Sequence, residues 1–190
     1  MLGSNQLAKF ERAISTSTAT FKVVFNEVPI QQFYALPYDR WEGYEAERQS
    51  LLRFLAENTN NVVFLTADVH ASLVNDARFN TLGGPGVQKS GIVDVTTGPI
   101  ATETFSGEIN KTVGSSGSGA LIHDLFLKPQ PPSGVGMQCA ATDQESYAEV
   151  TVSKNELRIE LLDEHGDRVS DTGDISSPGP PCGSIVIPKR

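Results

Sequence analysis

Residues 61–70 read NVVFLTADVH. The unbroken run from Val62 to Thr66 is apolar or β-branched, which is a strand signal, and its near-continuous apolar character indicates burial on both faces. The run stops at Asp68-Val69-His70, a carboxylate and an imidazole one residue apart. In layered α/β sheets functional groups collect where strands end at their C-termini and loops open a crevice. In an extended segment this spacing puts both side chains on the same side of the backbone. Both are good ligands for first-row metals, the carboxylate hard and the imidazole intermediate. Taken alone, the pair also fits a plainer reading, an Asp capping the next turn beside a half-buried His.

The segments on either side supply the frame. Upstream, residues 45–57 form a helix whose buried stripe is Leu51, Leu52, Phe54 and Leu55. Residues 4–15 form another, capped by Ser4, with Leu7, Phe10, Ala13 and Ile14 on one face. Between them FKVVFNEV (21–28) is a strand ended by Pro29, and QQFYALPYDRWEGY (31–44) is a long loop. The order helix, strand, helix, strand predicts a layered α/β arrangement over residues 1–80.

Downstream the texture changes. TLGGPGVQKS (81–90) reads as a loop and GIVDVTTG (91–98) as a strand. SGEINKTVGSSGSGA (106–120) is Gly/Ser-rich and is expected to be mobile, and LKPQPPSGVG (127–136) is irregular. SYAEVTVS (146–153) and ELRIELLD (156–163) alternate on either side of Lys154-Asn155 and predict a β-hairpin. GSIVI (183–187) is the last strand. Residues 81–190 are thus mainly strands and Gly/Pro/Ser-rich loops.

The composition narrows the function. A length of 190 residues allows one domain with a real core, or part of a larger one. No segment approaches the roughly 18 consecutive apolar residues of a membrane span. A net charge of −8 argues against nucleic acid, whose phosphates require clustered Lys and Arg. The first residues carry charges where an export signal has its apolar stretch, so no signal peptide is visible. Cys139 and Cys182 belong to no CxxC motif. They are either a disulfide tying the C-terminal tail to an earlier loop, which implies an oxidising compartment, or two unrelated buried thiols.

LPYDRWEGYEAERQSLLRFL (36–55) joined to NVVFLTADVHASLV (61–74) resembles the C-terminal half of the PhoD-like (alkaline phosphatase D) metallophosphoesterases. The matching residues are Asp39, Trp41, Gly43, Tyr44 and Arg48, then Ala67, Asp68, Val69 and His70. The likeness extends through residues 2–29, VDVTTGPI (93–100) and the hairpin. Ala67 stands where the family has glycine, which predicts a slightly displaced loop.

The resemblance implies a mixed α/β (α+β) fold, the C-terminal half of a metallophosphoesterase αββα sandwich. Its mixed sheet has helices on one face and a C-terminal β-hairpin. It also implies hydrolysis of phosphate mono- or diesters at a multinuclear metal site, with iron and calcium as the family's metals and zinc or manganese used by related enzymes. Asp68 and His70 are the implied ligands. Asn26 is a weaker third, its other reading being a turn-forming Asn before Pro29.

Asp39, Trp41, Tyr44 and Arg48 are candidates to line a substrate crevice, although Trp41 and Tyr44 also suit loop packing and Asp39 suits a cap or a bridge to Arg40 or Arg48. His123, in an apolar run, and His165, at a hairpin tip, are not expected to be functional. Two ligands cannot hold a multinuclear cluster, and the strands do not suffice for both sheets of the full sandwich. The expectation is therefore a C-terminal portion, inactive without an upstream half, with the compartment extracytoplasmic by resemblance. A sheet face left bare would demand a partner chain or a homo-oligomer. The alternative is a non-catalytic module that holds metal or phosphate, or self-associates.

Overall fold

The computed structural model describes residues 1–33, 40–81, 88–173, 177 and 179–190. Its centre is a five-stranded sheet of order β1-β2-β4-β3-β5, formed by β1 (Lys22–Phe25), β2 (Val62–Thr66), β3 (Ser72–Arg78), β4 (Lys89–Thr96) and β5 (Cys139–Ala141). β1, β2 and β4 run parallel, so their C-terminal ends share one edge of the sheet. β3 is antiparallel to both β4 and β5.

β2 explains the layering. All five of its residues are buried because they point alternately into two cores. Val62 and Phe64 face α1 (Ser4–Thr16) and α2 (Glu45–Asn58), among Ile14, Trp41, Leu51, Leu52 and Leu55. Val63 and Leu65 face a second sheet of order β6-β7-β8, made of β6 (Tyr147–Val152), β7 (Glu156–Leu162) and β8 (Ile185–Pro188). β7 alternates strictly, with Leu157, Ile159 and Leu161 turned inward. The architecture is helices, mixed sheet, antiparallel sheet. β6 and β7 form the expected hairpin, with Ser153 Oγ accepting hydrogen bonds from the backbone N–H groups of Asn155 and Glu156.

Several expectations need correction. Ser4 does not cap α1. The cap position is Gly3 at φ 77°, and no side chain closes that end. Residues 106–120 are not a mobile tract: they carry α3 (Phe105–Val113) and α4 (Ser118–Ile122), which continues into a π-helical turn at His123–Leu127. Thr104 caps α3 by accepting the Gly107 N–H, and Gly114, left-handed at φ 73°, ends it. Phe105 and Ile109 anchor it to Leu73, Leu127 and Ala140.

β3 escaped the pattern because Asn75 and Arg78, though buried, are polar. Among the described residues, helices pack on one side of the central sheet and the second sheet on the other. The strands form two sheets, the second with three strands. Large apolar side chains that do reach solvent include Phe25 on β1, Ile100, Leu125 and Val152.

Cys139 on β5 and Cys182 just before β8 form a disulfide with Cα atoms 5.7 Å apart, inside the inter-sheet core.

Candidate functional site

The loops leaving β1, β2 and β4 are stitched together by backbone hydrogen bonds. Asn26 N–H donates to Leu65 O, Ala67 N–H to Glu27 O, and Thr97 N–H to Thr66 O. Beyond Thr66 the chain is not extended. Asp68 has φ 71° and His70 φ 55°, both left-handed. The two turns bury Val69 against Phe33 and Phe105, leaving Asp68 exposed and His70 partly so. Both functional groups thus reach solvent on either side of a buried anchor, by a route other than strand alternation. Ala67 is not among the residues with positive φ, so the missing glycine imposes no left-handed strain there.

His70 is held at both ends. Its carbonyl accepts the Phe105 N–H at 2.7 Å, seating the first turn of α3 on the loop. Its ring Nδ1, sealed from solvent and without a well-directed hydrogen bond, lies 3.1 Å from Glu108 Oε1. Sequence reasoning missed Glu108, since nothing in SGEINK marks it. Asn26 behaves as a turn residue, its Nδ2 donating to Val28 O at 2.6 Å.

Beneath the loop lies a buried polar rivet. Asp94 accepts from Gln31 N–H at 2.7 Å and from Thr66 Oγ1 at 3.1 Å. Burial pushes its carboxyl up to about 6, against the opposing pull of those two hydrogen bonds. Gln31 and Gln32 cross to the end of β3, where Gln31 Oε1 accepts from Arg78 N–H and Gln32 Oε1 from Thr81 N–H.

Arg48 belongs to this rivet and not to a crevice. It is fully buried, and its guanidinium donates to Ile30 O, Phe79 O and Arg78 O. Three backbone carbonyls suit its fork of donors, so it positions the loop 30–33. Trp41 is likewise packed in the core, in a 3-10 turn (Trp41–Tyr44) that leads into α2, whereas Tyr44 is exposed. Asp39 lies outside the described residues.

His123 was expected to be inert, yet it is the centre of a buried ionic cluster. Nε2 lies 2.7 Å from Asp171 Oδ1 and Nδ1 lies 2.8 Å from Asp124 Oδ1. Asp171 Oδ2 also accepts from Lys128 Nζ and Ala140 N–H. An ionised carboxylate only accepts, so carboxylate oxygens facing both ring nitrogens favour the doubly protonated imidazolium. Burial opposes that charge, but the bonds from Asp171 and Asp124 outweigh it and raise the His123 pKa. Burial would likewise raise Asp171, yet His123, Lys128 and Ala140 hold it far below the usual carboxylate range. The adjacent His-Asp pair was the only sequence hint. His165 is exposed in the turn after β7.

The profile of the PhoD-like phosphatase family matches residues 1–161. The chain belongs to the PhoD-like phosphatase family. Alkaline phosphatase D of Bacillus subtilis (strain 168) is 33% identical over 82 residues, a match covering 38% of this chain and 14% of that protein. A solved structure described as "Structure of PhoD" covers 99% of this chain and 33% of its own, at TM-score 0.64 and 20% identity. That likeness carries the fold. The chain therefore spans about a third of the solved PhoD-like structure and a smaller part of the curated relative. The Asp68–His70 loop and the Trp41 turn fall inside the family match, whereas Asp171, Cys182 and β8 lie beyond it. No helix among the described residues is long and apolar enough to cross a membrane.

Proposed function

We propose that this chain is the C-terminal portion (residues 1–190) of a metal-dependent phosphoric ester hydrolase. Within it, residues 1–80 form the layer that bears the metal-binding loop, and Asp68 and His70 supply two ligands. The observation that carries the reading is the Asp68-Val69-His70 turn at the C-terminal edge of three parallel strands, with both donor groups accessible and the residue between them buried. Left-handed φ at two non-glycine residues one residue apart in a loop is the kind of local strain that functional sites retain. The donor set fits a cation, as a carboxylate and an imidazole suit iron, zinc or manganese, and calcium accepts the carboxylate. Iron with calcium is the pair the family resemblance favours.

A bound metal cluster supplies charge neutralisation for a phosphate ester and acidifies water. Asp68 and His70 hold their side of it, while Asp94, Arg48 and Gln31 keep the neighbouring loop in place. Among the described residues no three His, Cys, Asp or Glu side chains converge on one point. A multinuclear site then needs ligands from polypeptide outside them, and on this reading turnover depends on an upstream half. The same observation favours a second reading, a module that holds metal or phosphate without turnover. The Cys139–Cys182 disulfide fits an oxidising, extracytoplasmic setting.

The test is a chromogenic phosphodiester assay of the chain with Fe, Ca, Zn or Mn, run beside metal titration. Metal binding lost in His70→Ala, with no turnover until the remaining polypeptide is added, is the expected result. Turnover by the chain alone contradicts the need for an upstream half, and metal binding unchanged in His70→Ala contradicts the ligand assignment.

A further inference from the structure

We infer that Glu108 is a positioning residue for His70, fixing its ring proton on Nδ1 and presenting Nε2 as the free, ligating nitrogen. The inference rests on the metal-binding reading of His70 and adds a residue to it. α3 is seated by three independent contacts at its first turn. Phe105 N–H donates to His70 O at 2.7 Å, and Ser106 N–H donates to Thr142 O at 2.8 Å. The fully buried Phe105 ring meets Phe33 edge to face, with centroids 5.5 Å apart.

That seat brings Glu108, three residues further along the helix, beside the imidazole with Oε1 3.1 Å from Nδ1. Nδ1 is closed to solvent, so water cannot satisfy it in place of the carboxylate. The Glu108 side chain is 42% exposed, which leaves its carboxylate room to turn toward the ring. An ionised carboxylate only accepts, so a hydrogen bond across this contact requires the proton on Nδ1. The other nitrogen keeps its lone pair, and an imidazole oriented through its second nitrogen is the usual arrangement around a metal.

The decisive measurement is the ¹⁵N chemical shift pair of the His70 ring in the metal-free 190-residue chain, recorded in alkaline buffer. The wild type is expected to show the Nδ1–H tautomer. Glu108→Ala is expected to move it toward Nε2–H, and Glu108→Gln, which keeps a carbonyl acceptor, to restore Nδ1–H. The exposed side chain makes both variants well-folded proteins, with amide spectra changed only near α3 and the His70 loop. Zn²⁺ titration gives the second readout, with Kd rising about 10- to 100-fold in Glu108→Ala and less in Glu108→Gln.

An identical tautomer in wild type and Glu108→Ala overturns the inference whatever the metal does. Loss of Zn²⁺ without a tautomer change also overturns it, since Glu108 would then be a direct ligand. A wild-type chain that binds no Zn²⁺ yet shows the Glu108-dependent tautomer upholds the contact and sinks the metal reading alone.

Discussion

Asp68 and His70 each hold a backbone conformation that glycine would adopt freely, at a cost of about 1–3 kcal/mol per residue. Asp68 is exposed, so Asp68→Gly is expected to raise stability by about 1 kcal/mol while weakening metal binding. A denaturant midpoint at or below the wild-type value would contradict the strain. That Asp68 and His70 stand together where β2 ends was legible from their spacing and from the strand before them. The left-handed turns were not, because Asp and His adopt that conformation more often than most residues but not regularly enough to signal it. Arg48 was misplaced for a related reason. A charged side chain reads as surface or site, and only tertiary contacts reveal three carbonyls waiting for it.

His123 sets a pH dependence. Its pKa is raised on folding above the ordinary 6.5. The stability it contributes is complete below that value and is lost as pH rises through the elevated folded pKa. Urea midpoints are expected to fall from neutral toward alkaline pH in the wild type and to lie flatter in His123→Gln. Parallel profiles would contradict the imidazolium.

At the level of elements, hydrophobic patterning revealed α1, α2, β1 and the β6–β7 hairpin, and an unbroken apolar run revealed β2. Patterning failed at α3 and α4, whose glycines read as flexibility. In the structure Gly114 ends a helix and Gly119 lets α4 lie against α3. A Cβ on Gly119 would come within 2.5 Å of the Ser106 Cα, a backbone atom that cannot swing aside. Gly119→Ala is therefore expected to destabilise the protein by about 1–3 kcal/mol and to disturb Phe105 and the His70 loop it supports. Wild-type melting behaviour would contradict this packing. β3 shows the converse failure, for a strand buried on both sides accepted Asn75 and Arg78, and the Val135 and Gly136 carbonyls that Arg78 reaches lie far along the chain.

For the molecule as a whole, the two sheets share one core closed by the C-terminal segment. Asp171, Cys182 and β8, all beyond the family match, bind back through the His123 cluster, the disulfide and the β7 pairing. Closing a loop with a sequence separation of 43 constrains the unfolded chain by about 4 kcal/mol. Cys139→Ser with Cys182→Ser is expected to lose an amount of that order in guanidinium unfolding, and a loss under about 1 kcal/mol would contradict a structural role for the disulfide. The sequence left the pairing open because two turn-like flanks do not say whether they meet.

The central claim is that Asp68 and His70 face a cation. Mn²⁺ titrated into the ¹⁵N-labelled chain tests it directly, because paramagnetic broadening reports where the ion sits. The account predicts that amides of residues 67–71 and the first turn of α3 fade first, and that His70→Ala removes the effect. Broadening centred instead on the acidic hollow lined by Asp143, Glu145, Asp163 and Glu164, and unchanged by that substitution, would contradict it.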